Sequence, residues 1–559
     1  MKSEYSTICL TSFEELENCR TQGILAFWEE LLASDPTANF FQGPVWCLPW
    51  YRNYSDVYEP LVLVIQNAQG LMGVVPLARS RKTKEVIFAG GFMSDYCDVV
   101  ARPGFRTTVL KEFLALYKQS GSPKPLRLGY VQPESETPVQ LLSLTKENGL
   151  SSVVTLHPCY RFIFKDPVET KKLTRKESVR RRLSYYKRQG EIEFRRITSL
   201  EEWNDLKSKF YDQHTLRQLY VNRPVSFDDH RKRSFYEDLF TQHPESVHIV
   251  VLFSGARMLA AHYGIVWRKM LYWGAPSFDV TEEKYSPGQV LLALLIQEAE
   301  VSDLCGVDLT IGAEEFKRRF GNTFVELPLV EIYASRVSYL ARIARRSATR
   351  IAKSLICKWK GEKSWEDLRD FLGAETAEVT LSSVMRALSQ KANFEKSQSQ
   401  LFVTRLSEPN APAIASARSL NYSENAPSDL LNAHVREPTL NLALGAVLRK
   451  VPDMLAKNGV LHIVLENGSL AGFCFSRRSS DDEWTRVSGS GTGSSPGTLV
   501  IENLRIVSDG QFDEEIADLL LKRILANNHV TTGETILLST SQFCRRWLRK
   551  WGFTKSNRP

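Results

Sequence analysis

No two of the nine cysteines (Cys9, Cys19, Cys47, Cys97, Cys159, Cys305, Cys357, Cys474, Cys544) stand at CxxC spacing, and their number is odd. Neither a disulfide framework nor a zinc site is signalled. The nine histidines are equally dispersed and no HExxH occurs, so no metal is expected. No apolar run reaches the ~18–20 residues that cross a bilayer. The opening Met1-Lys2-Ser3-Glu4 is polar where a secretory leader needs an apolar stretch. A cytoplasmic protein without a transmembrane segment is the expectation. An excess of one charge is nearly lacking too: 72 Lys and Arg against 64 Asp and Glu leave +8, which suits anionic ligands without specifying nucleic acid.

What the chain does have is length and ordinary globular composition. Its 559 residues are 43% hydrophobic and 24% charged, which excludes a disordered or fibrous chain and predicts about three to four domains. Helical spacing over Phe13 to Leu32 precedes a hairpin, Leu61 to Ile65 and Met72 to Leu77, joined by a turn at Asn67-Ala68-Gln69-Gly70. Glu85 to Phe88, Asp98 to Val100 and Pro125 to Tyr130 read as strands and Thr107 to Tyr117 as a helix. The order hairpin, strand, helix, strand returns in His248 to Phe253, Met258 to Trp267, Met270 to Ala275, Gly288 to Ser302 and Val307 to Ile311. It returns again from Val460 to Ser539. The fold class expected is α/β (α+β) with three tandem mixed-sheet domains. Their bounds are 1–165, 166–335 and 375–559, with a basic helical linker over 336–374.

Two charge runs punctuate the chain. Between Glu169 and Arg188 nine basic residues, Arg175 and Lys176 among them, face two acidic ones in one expected helix. From Arg336 to Lys360 eight cations and no acid interleave with Val337, Leu340, Ile343, Ile351, Leu355 and Ile356. That is a basic amphipathic helix, read either as a connector with one face packed on its own domain or as a docking element for a membrane surface or polyanion.

Tyr285-Ser286-Pro287-Gly288-Gln289 opens the long apolar helix. Proline near N1, a glycine that admits close approach, and amides at a helix N-terminus make a candidate anion site or simply a cap. From Ser286 onward this segment, with Gly306-Val307-Asp308-Leu309-Thr310-Ile311-Gly312-Ala313-Glu314-Glu315-Phe316-Lys317, resembles the signature of the CelD-like branch of GNAT-superfamily acetyltransferases, related to FemAB-type aminoacyl transferases. Phe40-Phe41 with Trp46 and Trp50, Gly73 to Leu77, Phe92 to Asp98 and Asp212-Gln213-His214 agree, so the resemblance covers roughly residues 20–330.

The resemblance implies GNAT-like domains, the N-terminal one on the acceptor side and the second gripping acetyl-CoA or another acyl-CoA. Pantetheine is expected along the strand carrying Tyr272 and Trp273, and pyrophosphate at Ser286, Pro287, Gly288 and Gln289. The sequence lacks the full phosphate loop of ordinary GNAT enzymes, which leaves an aminoacyl-tRNA donor open. Phe316 stands where those enzymes often place tyrosine, so Lys317 is the expected oxyanion or phosphate stabiliser, with Glu314 or His214 as base. His262 reads as a core or cleft residue. Asp95, Tyr96, Arg175, Lys176 and Phe316 are expected to meet the acceptor, a small molecule or glycan precursor.

In the last third, Phe543 to Phe553 looks like a closing GNAT element with Leu548 where tyrosine usually stands. Asp509-Gly510-Gln511-Phe512-Asp513-Glu514-Glu515 puts carboxylates where a phosphate would bind. A degenerate third domain is expected. A non-catalytic adaptor with peripheral membrane contact through 336–360 is the alternative from a different class.

Overall fold

The computed structural model describes residues 5–21, 24–68, 70–220, 226–360, 400–405, 420–424, 459–466, 469–478, 499–506, 513–527, 535–540, 548, 551 and 554–555. The chain divides into two compact units, one of Met1–Phe210, Asp229–Asp279 and Tyr285–Arg350, the other of Tyr211–Asp228, Val280–Lys284 and Ile351–Pro559.

In the first unit, alternating apolar residues build an antiparallel sheet from β1 (Ser6–Leu10), β2 (Tyr58–Asn67), β3 (Gly70–Ser80) and β4 (Val86–Phe88), with β5 (Val100–Ala101) also on β3. Leu61, Leu63, Ile65, Val75 and Leu77 pack there on Leu110, Phe113 and Leu114 of the helix Arg106–Ser120. Each such side chain contributes about 1.5–3 kcal/mol on burial. The expected helix over 13–32 is two, Phe13–Thr21 and Ile24–Ser34.

The second sheet has eight strands in the order β6-β13-β7-β12-β11-β10-β9-β8. These are β6 (Leu126–Leu128), β7 (Ser151–Ile163), β8 (Ile192–Ile197), β9 (Val247–Ser254), β10 (Arg257–Trp267), β11 (Met270–Phe278), β12 (Gly306–Ile311) and β13 (Thr323–Tyr333). The expected boundary at 165/166 therefore runs through one sheet: β6 and β7, from before it, pair with β13 and β12 from far beyond it. The charge change near residue 165 marks only a turn into two helices, Pro167–Arg175 and Glu177–Lys187, with Lys176 extended between them (ψ 131°) where one helix was expected. Against this sheet lies the helix Pro287–Val301, apolar nearly all round. It buries Leu291, Leu292, Leu295 and Ile296 on Val250, Leu252, Leu259 and Leu271.

The hydrogen-bonding register of β11 opens the site. Only Met270, Leu271 and Tyr272 pair with β12, in parallel, opposite Gly306, Val307 and Asp308. Beyond that point β11 runs on to Phe278 unpaired on this side while β12 turns back onto β7, so the two strands part.

The second unit repeats the topology on β15 (Leu420–Glu424), β16 (Val460–Glu466), β17 (Ser469–Arg478), β18 (Leu499–Ile506), β19 (Thr535–Thr540), with β14 (Gln400–Arg405) and β20 (Thr554–Lys555) beyond. An antiparallel β16-β17-β18 run crosses over through the helix Glu514–Asn527 into β19, parallel to β18. Residues 361–374 of the expected linker, the Asp509 to Phe512 stretch and most of the closing 543–553 element lie outside the described residues. Leu548 is buried in that unit's core and Trp551 donates to Asp518 at 2.8 Å.

Candidate functional site

The parted strands are lined from the first sheet's side by a short 3-10 turn, Phe40–Gln42, and by the loop that follows Gly90. Gly90 has φ +85°, and a Cβ there would stand 1.9 Å from Ser94 Oγ and 2.4 Å from Trp46 Nε1. No other residue fits that corner. Trp46 Nε1 donates to Ser94 Oγ (2.9 Å), which itself donates to the Ala89 carbonyl, and Gln42 Nε2 donates to the Tyr96 carbonyl at 2.7 Å. Asp98 is held by Arg106 (3.2 Å) and Ser135 (2.7 Å), so the last carboxylate of the Asp95-Tyr96-Cys97-Asp98 run is structural.

Tyr96 is buried and its hydroxyl donates to Asp308 Oδ1 at 2.9 Å. Asp308, 1% exposed, also receives Arg161 Nε (2.9 Å), the Thr310 amide (2.8 Å) and Cys159 Sγ (3.4 Å). Thr310 takes φ +57°, a left-handed conformation a β-branched residue rarely adopts, at the point where β12 leaves β11. Asp308 is thus the hub that ties the loop, β7 and the strand opening together. Its motif was legible in the sequence but its role was not: a carboxylate inside the apolar run Val307 to Ile311 is the signal that a buried partner must exist. Tyr272 faces the same place, its hydroxyl accepting from Asn39 Nδ2 at 2.9 Å and its ring 5.7 Å from that of Tyr96.

Lys317 is 5% exposed in the short helix Glu315–Phe320. Its Nζ donates to the Ile311 carbonyl at 2.5 Å and stands 3.4 Å from Glu314 Oε2. Gly312, at φ +141°, makes this possible, since a Cβ there would lie 1.9 Å from Glu314 Oε2 and 2.9 Å from Lys317 Nζ. Asp95 is half-buried within electrostatic reach of Lys317, Asp308 and Lys232. Burial raises its carboxyl, Lys317 lowers it, and Asp308 raises it, with a net value of about 7. Asp95, Tyr96, Glu314 and Lys317 are therefore brought to one place.

The other expected residues separate. Trp273 is core, stacked 4.2 Å from the fully buried His262, whose Nε2 accepts from the Gly274 amide at 3.1 Å. Its ring therefore lines no strand edge. Burial lowers the His262 imidazole, and nearby His248 lowers it further. Phe316 packs against the same core. His214 belongs to the other compact unit, with Nε2 3.2 Å from Gln218 Nε2 and its ring edge-on to Phe227. Arg175 ends the helix Pro167–Arg175, and its side chain lies outside the description.

At the N-terminus of the helix Pro287–Val301, Ser286 caps with φ +45° and its carbonyl accepts from the Gln289 amide at 3.0 Å. Pro287 has no N–H, so Gly288 carries the amide of the expected pair that is not spent inside the cap. Cations gather instead. Arg182 Nη1 donates to Gln289 Oε1 at 2.9 Å, and Lys176 Nζ donates to the Arg319 carbonyl at 3.0 Å. Burial lowers the pKa of both Lys176 and Arg182, and Arg319 lowers each further. Arg182 thus reaches the helix N-terminus, and Arg319 lies within electrostatic reach of both it and Lys176, a local excess of positive charge that suits an anion. Sequence reading named Lys176 but not Arg182 or Arg319, because only the break at Lys176 and the return of the chain after β12 bring the three together. Among the described residues no group of three His, Cys, Asp or Glu side chains is placed to hold a metal.

No curated protein is matched by the sequence. Solved structures similar to the chain include FemX (8% identity, 58% of this chain and 96% of that one, TM-score 0.40). Another is the C-terminal domain of a putative lysylphosphatidylglycerol synthetase from Agrobacterium fabrum (12%, 58% and 95%, 0.38). A tandem GNAT protein from the clavulanic acid biosynthesis pathway is also similar (10%, 59% and 99%, 0.35). Residues 174–318, the segment holding β8 to β12 and Lys317, match the family model described as an acetyltransferase (GNAT) domain.

Proposed function

We propose that this protein transfers an acyl group, most simply acetyl from acetyl-CoA, directly to an amine or hydroxyl of a small-molecule acceptor such as a sugar, nucleotide sugar or cell-envelope precursor. The observation that carries the reading is the conjunction of two parted parallel strands with Arg182 at the helix N-terminus beside them, backed by Arg319 and Lys176 within electrostatic reach. A thioester donor that ends in phosphates needs both a slot for its arm and cations for its far end. In this reading Lys317 stabilises the oxyanion that forms as the acceptor attacks the thioester carbonyl. Asp95 takes the acceptor's proton, and the thiolate of CoA leaves. The domains expected from the sequence keep their functional meaning here, the N-terminal sheet supplying the acceptor-side loop with Asp95 and Tyr96.

Calorimetric titration with acetyl-CoA tests the donor. Micromolar binding is expected, weakened at least about tenfold by Arg182→Gln or Gly288→Asp, each of which removes positive potential or adds a negative charge where the phosphates sit. Absence of binding by the wild-type chain would overturn the CoA reading. Binding of charged tRNA in its place would move the donor to an aminoacyl ester, for which the same cations would contact the phosphodiester backbone.

The pH profile tests Asp95. A base whose carboxyl is raised to about 7 works only when ionised, so kcat should rise with pH and level off above that value. The linkage has the opposite sign for stability. A raised folded pKa stabilises the chain below the unfolded value and that stability is lost as pH rises through about 7. Asp95→Asn is therefore expected to abolish the kinetic inflection and to raise Tm at pH 8 by several °C, a gain that shrinks steadily as pH falls toward the ordinary carboxylate value of about 4. A profile that keeps its inflection in the variant would remove Asp95 from the mechanism.

A further inference from the structure

Over its described side chains, Arg336 to Ser347, the helix Arg336–Lys360 turns its large apolar residues outward. Val337, Leu340 and Ala344 follow i, i+3, i+7 spacing and so share one face. Such a face normally packs on its own domain. Here Val337 is 77% exposed and Leu340 62% exposed, with Ile343 42% exposed beside them. What holds the helix to the domain is the opposite, polar side. Arg342 donates from Nε and Nη2 to Glu331 Oε2 of β13 at 3.1 and 3.0 Å. Tyr339 packs edge-on to Tyr333 at 5.8 Å. Glu331 is 1% exposed and shared with Arg127. Arg336 and Arg345, both exposed, fall on the two flanks of the apolar face, about 100° and 80° from Val337 at 100° per residue. No acidic residue occurs between Arg336 and Lys360.

We propose that this face docks on an anionic lipid surface. Val337, Leu340 and Ile343 enter the headgroup boundary while the flanking arginines meet lipid phosphates and keep their charged ends at the interface. The charge pattern selects the occupant. A second copy of the helix would bring arginine against arginine. A nucleic acid would have no use for large exposed apolar side chains in the centre of the contact. The inference does not depend on the donor assigned above, because none of these residues belongs to the proposed acyl-transfer site.

Co-sedimentation of the full-length protein with vesicles tests it, using phosphatidylcholine alone and phosphatidylcholine with about one third phosphatidylglycerol. Binding is expected only to the anionic vesicles and should weaken as NaCl is raised from 50 to 300 mM. Val337→Asp/Leu340→Asp should reduce the bound fraction at least about tenfold. Since both positions are exposed, the variant's Tm and acetyl-CoA affinity should match wild type, which separates lost docking from lost folding. Arg336→Gln/Arg345→Gln should give a smaller loss with a shallower salt dependence. Wild-type protein that ignores anionic vesicles at 50 mM NaCl would overturn the proposal. Equal binding by Val337→Asp/Leu340→Asp would overturn it too, as would tRNA binding that survives the aspartates and is lost with the arginines.

Discussion

Lys317→Met is expected to lower kcat by about 10²–10³, the cost of removing one preorganised donor from a forming oxyanion, while acetyl-CoA affinity changes by no more than about twofold. Methionine keeps most of the volume of a side chain that is 5% exposed, so packing around Ile311 and Glu314 survives and the charge alone is lost. The charge has a second, separable effect. Lys317 holds the Asp95 carboxyl below where burial and Asp308 would otherwise set it. Its removal should therefore move the inflection of the residual activity above pH 7. A purely structural lysine would alter Tm and leave the inflection in place. CoA release is the readout, with the acceptor that gives the highest turnover among amino sugars. A kcat within about threefold of wild type together with an unmoved inflection would remove Lys317 from the chemistry.

Asp308→Ala is expected to destabilise the first unit by about 3–5 kcal/mol, the range found when one member of a buried pair is removed and the other is left charged. Arg161 would lose its 2.9 Å carboxylate, retaining Gln132 at 2.8 Å, and the Tyr96 hydroxyl would lose its acceptor at 2.9 Å. The Thr310 amide would lose the bond that holds a left-handed threonine in place. Urea unfolding followed by tryptophan fluorescence measures the loss, and Trp46, Trp50 and Trp273 all report from this unit. Replacing both partners, Asp308→Leu with Arg161→Leu, should recover part of the stability because no charge is then stranded. It should not recover activity, since the loop bearing Asp95 has lost its anchor. A single-variant loss under about 1 kcal/mol would show that the hub is not holding the strands apart.

Sequence and structure agree where the information is local. The hairpins β2-β3, β9-β10 and β16-β17 are written in alternating apolar residues and short turns. The helix at Pro287 is written in proline at N1 and an unbroken apolar run. The long strands β7 and β13 escaped because Pro158 and Pro328 interrupt them, and a proline argues against a central strand. They pair in a continuous register nonetheless, Leu156 opposite Pro328 and Pro158 opposite Glu326. Their carbonyls serve elsewhere, Pro328 accepting from Val131 and Pro158 from Gly312. Once β7 is inserted, β6 and β7 from before residue 165 join β8 to β13 from beyond it in one sheet, while β1 to β5 keep their own.

Candidate chemistry divides in the same way. Residue type and order alone marked the Ser286 to Gln289 turn, a proline and a glycine opening an apolar helix, whereas Lys317, Glu314, Asp95 and Tyr96 were marked by the resemblance of their motifs to the GNAT-superfamily signature. Tertiary structure alone decided that Asp308 joins Tyr96 to Arg161, that Arg182 and Arg319 stand with Lys176, and that Trp273 is core with Phe316 half-buried against it. It also decided which way the helix at Arg336 faces. Amphipathicity is a property of spacing and is legible in one dimension. Which side of the helix meets the domain is set by what its polar face finds there: Glu331, buried on β13, holds Arg127 through one carboxylate oxygen and Arg342 of the helix through the other. A second charge-assisted contact to a buried carboxylate, made from the polar face, leaves the apolar face outside.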